Sequence, residues 1–114
     1  MNDIQIHDLK AANEETLKEI FEINEGYNPF LGPLRTIDNL RDLVDKSNFS
    51  IFLTSKNQIC AFLVCFREDS QYQSMNYKFF KKRFKRFFYI DRIGVVKGFQ
   101  NKGLGTFIYS KIDN

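Results

Sequence analysis

The chain opens on "IQIHD", Ile4 to Asp8, where apolar and polar positions alternate and predict a short strand. The next segment, "NEETLKEIFEINEG", changes period: Leu17, Ile20, Phe21 and Asn24 fall three or four apart and trace one helical stripe. Asn13 is placed to cap that helix, Glu14 and Glu15 fill its first turn, and Gly26 stops it. "YNPFLGP", Tyr27 to Pro33, has the Pro and Gly content of a loop. "TIDNLRDLVDKS" predicts a second amphipathic helix, with Ile37, Leu40, Leu43 and Val44 on its apolar side.

The pattern then switches to strands. "FSIFLTS" and "ICAFLVCFR" are apolar runs joined at "KNQ", Lys56 to Gln58, which predicts a hairpin over 49–67. The second run is apolar on both faces, so it belongs in the middle of a sheet. Residues 68–75 are polar and irregular. "NYKFFKKRFKR" is helical in pattern, because Phe80, Phe84 and Phe88 recur every four residues. "FFYIDRIGVV", Phe87 to Val96, is expected to be the longest strand. "GTFIYSKIDN" then starts a helix that would bury Phe107, Ile108 and Ile112. This order predicts one mixed α/β (α+β) domain over residues 1–114, antiparallel at its start, with no internal repeat and no linker.

Composition narrows the setting. A chain of 114 residues with 43% hydrophobic and 27% charged positions suits one ordinary globular domain. No apolar run approaches the ~20 residues of a membrane span. "MNDIQIHDLK" lacks the basic-then-apolar order of a secretion signal, so a cytoplasmic location is expected, without membrane partners. Cys60 and Cys65 lie five apart on one strand and are expected on opposite faces, as buried free thiols. They are too few for a zinc site and His7 is remote from them, so no metal is expected. His7 reads as a surface residue.

The net charge of +3 is mild, but "KFFKKRFKR" (residues 78–86) carries six positive charges and no negative one. A nucleic-acid-binding domain would use such cations on phosphates and the Phe rings on bases. The four-residue Phe repeat favours a plain amphipathic helix, Phe inside and charge outside, over nucleic-acid or membrane-surface binding.

Candidate chemistry lies in "VVKGFQNKGLGTF", Val95 to Phe107: an apolar strand end, a basic glycine turn and a helix start. Unpaired N–H groups and the dipole of a helix N-terminus suit a phosphate, and glycine lets the backbone approach it. The dinucleotide fingerprint would need glycines at 103, 105 and 108, but position 108 is Ile. The P-loop spacing is met by Gly98 and Gly103, but Leu104 and Gly105 follow where Lys and Ser or Thr belong.

A third pattern is met. Gln100-Asn101-Lys102-Gly103-Leu104-Gly105, with apolar Val95 five positions before it, resembles the acetyl-coenzyme A signature of the GNAT superfamily of N-acetyltransferases. The stretch "NYKFFKKRFKRFFYIDRIGVV" resembles a GNAT subgroup of predicted acetyltransferases that carry "YIDRI" before the turn. The resemblance spans residues 1–114.

That resemblance implies acetyl transfer from the acetyl-coenzyme A thioester to a primary amine. Pantetheine would bond the backbone at Ile93, Gly94 and Val95. The diphosphate would sit on backbone N–H groups of Gln100, Asn101, Lys102, Gly103, Leu104, Gly105 and Thr106. The amine must lose a proton to attack, and the oxyanion would be held by a backbone N–H of the strand. Asp91, the sole acid of that strand, is a candidate base, although an internal salt bridge is the favoured role. By alternation Asp91 shares a face with Tyr89, Ile93 and Val95, and Arg92 faces the other way, toward an ion pair or solvent. Glu25 and Asn28 follow the first helix, where the family lines its acceptor site; loop capping explains them equally well.

The resemblance also exposes departures. The family's fifth strand, later elements and helix-borne Tyr acid have no counterpart, and Tyr109 lies on the wrong helix to replace that acid. The expected architecture is a GNAT-like, antiparallel-led sheet without its C-terminal half. The fourth strand would then offer an edge to a second copy or a complementing chain. The alternative function is a non-catalytic, truncated or split GNAT chain that binds coenzyme A weakly or needs a partner.

Overall fold

The computed structural model describes residues 3–26, 34–67, 78, 82, 88–96, 98, 99, 103 and 107. Its elements are β1 (Ile4–Asp8), a 3-10 turn (Leu9–Ala11), α1 (Glu14–Gly26), α2 (Ile37–Lys46), β2 (Phe49–Ser55), β3 (Gln58–Arg67) and β4 (Phe88–Val95). The strands form one sheet in the order β1-β2-β3-β4, and each neighbouring pair is antiparallel. The chain thus adopts the mixed α+β class that its element order predicts.

Both helices begin where their capping chemistry places them. The Thr16 N–H donates to Asn13 Oδ1 at 2.8 Å, and the Asn39 N–H donates to Thr36 Oγ1 at 3.1 Å. Each cap satisfies a donor that the helix cannot and is worth about 1 kcal/mol. Leu17, Ile20 and Asn24 of α1 are buried, as are Leu40, Leu43 and Val44 of α2. An exposed ion pair joins Arg41 to Glu14 across the two helices and adds little stability.

The β2–β3 hairpin turns in two residues. Lys56 (φ 52°) and Asn57 (φ 66°) are both left-handed, the geometry of a type I′ turn, whose twist matches the strands it joins. Gln58 therefore starts β3 and is not part of the turn. β3 is central, and every residue from Ile59 to Phe66 is buried. Among the described residues it is also the longest strand, ten residues against eight in β4. The expectation that β4 would be longest is corrected, because at Val96 the chain already enters a turn.

Two bulges upset the simple alternation. In the β2–β3 ladder Leu53 faces Ala61 and Thr54 faces Ile59, leaving Cys60 as the extra residue. In the β3–β4 ladder Val64 faces Arg92 and Cys65 faces Ile90, leaving Asp91 extra. Each extra residue shifts the in–out count by one. The first shift brings both thiols to one face: Cys60 and Cys65 pack in the same cluster with Ile51, Leu53, Ala61 and Leu63. The opposite-face expectation is wrong for that reason; both cysteines are free and buried.

The sheet's other face carries Ile59, Phe62, Val64 and Phe66 against Leu9, α1 and α2. The cysteine face is covered in part by Phe99 and Phe107. The two sides of the sheet are therefore covered differently: by α1 and α2 on one, and in part by Phe99 and Phe107 on the other.

His7 is half-buried and not simply a surface residue. Its ring stacks on Phe52 at 4.7 Å, and Nε2 lies 2.9 Å from Thr54 Oγ1. Phe80 and Phe84 lie outside the described residues, as does the loop at 27–33. Phe88 belongs to β4 and not to the helical repeat. Lys78 and Lys82 are helical and exposed, on the solvent side that the amphipathic pattern gives to the charges.

Candidate functional site at the fourth strand

β4 runs directly into the glycine turn. The Val96 N–H still bonds the Cys60 carbonyl (2.9 Å), and the Phe99 N–H closes a tight turn on the Val96 carbonyl (2.9 Å). Gly98 sits in that turn at φ 98°. Gly103 is also left-handed, at φ 81°, where a side chain would be strained. Its carbonyl accepts the Phe107 N–H at 3.0 Å, the closure of an α-helical turn, and Phe107 is helical. Phe99 and Phe107 both anchor in the cysteine-face cluster. Among the described residues after β4, Phe99 and Phe107 thus lie on the side of the sheet opposite α1 and α2.

The strand residues expected to meet a cofactor divide between the faces. Ile93 and Val95 pack into the cysteine-face cluster. Gly94 faces Phe62 across the ladder, and a Cβ on it would lie 2.5 Å from Phe62 Cε1. Gln100, Asn101, Lys102, Leu104, Gly105, Thr106 and Asn28 lie outside the described residues.

The bulge also corrects the expected faces of β4. Tyr89 packs on the helix side of the sheet, whereas Ile90, Ile93 and Val95 lie on the cysteine side. Arg92, opposite Val64, reaches the helix side and α1. Asp91, the extra residue, does not share one face with Tyr89, Ile93 and Val95, because Tyr89 and Ile93 are on opposite faces.

Asp91 and Glu25, 66 positions apart, are joined through Arg92 and Asn24, whose meeting the sequence pattern did not show. Arg92 Nε donates to Asp91 Oδ2 at 2.8 Å, and one terminal nitrogen of the same guanidinium donates to Asn24 Oδ1 at 2.8 Å. Asn24 Nδ2 donates to Glu25 Oε2 at 2.7 Å. The side chains of Arg92 and Asp91 are only 10% and 6% exposed, and Asn24 is wholly buried. Burial of this kind demands that each polar group find a partner. Two signals were available in the sequence: an Asn within a core-facing helical stripe, and an Arg inside an apolar strand.

Glu25, in the last turn of α1 and not in the loop that follows it, carries the chain of bonds onward. Its carboxylate accepts the N–H groups of Leu34 (3.0 Å) and Arg35 (3.3 Å). The Leu34 N–H, followed by the Asn24 amide and the Arg35 N–H, holds the Glu25 carboxyl below its ordinary range, against the opposing cost of desolvation. Arg35 itself is left-handed (φ 71°), and the Thr36 N–H bonds the Leu34 carbonyl at 2.8 Å. A bond spanning one residue at that φ is a γ-turn of the strained kind.

Among the described residues no group of three or more His, Cys, Asp or Glu is placed to hold a metal ion, and no helix is long and apolar enough to cross a membrane. Neither a family model nor a curated protein matches the chain. Among solved structures it is similar to a possible acetyltransferase from Clostridium difficile 630, with a TM-score of 0.64 and 19% identity. The match covers 97% of this chain and 69% of that one. At this identity the likeness establishes a shared fold.

Proposed function

We propose that this chain is a GNAT-type acetyl-coenzyme A-dependent N-acetyltransferase domain of the "YIDRI" subgroup, acting on a primary amine. The observation that carries the proposal is the junction after β4: a strand, then left-handed Gly103, whose carbonyl closes a helical turn with Phe107. Such a junction suits a diphosphate, because glycine leaves the backbone open and a helix start supplies donors. The fold shared with a possible acetyltransferase supports the same activity.

In this proposal the backbone of Ile93, Gly94 and Val95 takes pantetheine, and the N–H groups of Gln100 to Thr106 take the diphosphate. The Asp91 carboxylate, paired with Arg92, serves as an oriented acceptor for the amine proton. Glu25 and Asn28 belong to the acceptor side.

Calorimetry of the full chain should show binding of acetyl-coenzyme A, and a panel of amines should release its thiol. Gly103→Val should abolish the binding while leaving the β2–β3 core folded. Binding unaltered by Gly103→Val would refute the assignment of the turn, and absence of binding by the native chain would refute the cofactor.

A further inference from the structure

The bonds from β4 to the start of α2 form one unbroken path of four side chains. Asp91 sits at the bulge of the strand, Arg92 forks between Asp91 and Asn24, Asn24 turns its amide to Glu25, and Glu25 holds the N–H groups of Leu34 and Arg35. Its two ends are unusual backbone. One is an extra residue in a strand. The other is a γ-turn with a left-handed arginine. A left-handed non-glycine residue costs free energy and persists only where its surroundings hold it.

We propose that Arg92 and Asn24 are positioning residues that couple β4 to the Leu34–Thr36 γ-turn. A molecule that settles on β4 is thereby felt at the entrance of α2. The acceptor-side identity of that entrance rests on the function proposed above; the coupling itself does not.

Three features make the path a coupling and not a set of separate contacts. The guanidinium uses two different nitrogens for two different acceptors, which a lysine cannot do from one point charge. Asn24 has its oxygen committed to Arg92 and its nitrogen to Glu25, so rotating the amide breaks both bonds together. Asn24 is wholly buried, so water does not readily replace a lost partner.

The test is residue-resolved amide exchange of the full chain by solvent-exchange NMR. Glu25→Gln serves as the reference that weakens the γ-turn directly. Arg92→Lys should speed exchange at Leu34 and Arg35 about tenfold, the scale set by one charge-assisted hydrogen bond. Asn24→Ser should do the same. The Leu63 amide in β3 serves as the reporter of global stability in all three variants.

Unchanged exchange at Leu34 and Arg35 in Arg92→Lys and Asn24→Ser would overturn the coupling. So would acceleration at Leu63 without acceleration at Leu34 and Arg35, which signals lost global stability with no coupling to the γ-turn. In a second arm, saturating acetyl-coenzyme A should slow exchange at Leu34 and Arg35 in the native chain and not in Arg92→Lys. If the native chain does not bind acetyl-coenzyme A, the proposed function fails, while the first arm still decides the coupling.

Discussion

Gly94→Ala places a methyl group where the Phe62 ring already lies. The added Cβ would be 2.5 Å from Cε1, 3.1 Å from Cδ1 and 3.2 Å from Cζ of that ring. Carbon atoms rest at about 3.5–4.0 Å, so the ring or the strand must retreat by about 1 Å. Phe62 has no exposed surface and packs in the cluster with Ile20, Leu40 and Val64, so the retreat is resisted on every side. Overpacking of this kind costs about 1–3 kcal/mol, a large share of the 5–15 kcal/mol typical of a domain. Urea denaturation should show a midpoint lower by about 1–2 M at unchanged slope. Phe62→Leu should relieve the clash, so the double variant should be more stable than the summed single losses by about 1 kcal/mol. A Gly94→Ala chain within about 0.5 kcal/mol of the native one, or strict additivity with Phe62→Leu, would refute packing as the reason for glycine. Loss of acetyl-coenzyme A binding without loss of stability would then assign Gly94 to the ligand.

Two further outcomes follow from charge and burial. Glu25 has a depressed carboxyl, so its contribution to stability is complete above the ordinary glutamate range and is lost as pH falls through the lower folded value. Denaturation midpoints measured from pH 6 down to 3 should therefore fall less in Glu25→Gln than in the native chain, and parallel curves would contradict the Leu34 and Arg35 contacts. Burial, with the Asp91 charge nearby, pushes the Cys65 thiol up to about 12. Iodoacetamide at pH 8 should leave Cys65 unmodified until the chain unfolds, and rapid labelling of folded protein would show that the cysteine face opens.

Periodicity and capping made most of the elements readable. Asn13 and Thr36 mark their helix starts, the 3.6 period identifies the buried side of α1 and α2, and the doubly apolar run of β3 fixes its central place. Side-chain facing was less legible, because alternation assumes an unbroken ladder. Cys60 and Asp91 are both extra residues, and nothing local in "QICAF" or "YIDRI" distinguishes a bulged residue from a paired one. For the candidate site, Asp91 was visible as the sole acid of an apolar strand, whereas Glu25 was expected just after the first helix and lies in its last turn. Their connection was not visible, since it depends on Arg92 meeting Asn24 across 68 positions of sequence. Pattern reading handles neighbours in the chain; this contact exists only after the sheet and α1 have docked.

The bulges at Cys60 and Asp91 also govern how this chain must be compared with others. A related strand without the extra residue stays in step on one side of the bulge only. Beyond that point each column of an ungapped alignment sets a position on the helix side of the sheet against one on the cysteine side. A one-residue gap at Cys60 and another at Asp91 restore the correspondence of the two faces. Placed anywhere else in β3 or β4, the same gap would pair the wrong faces and hide kinship that the backbone retains.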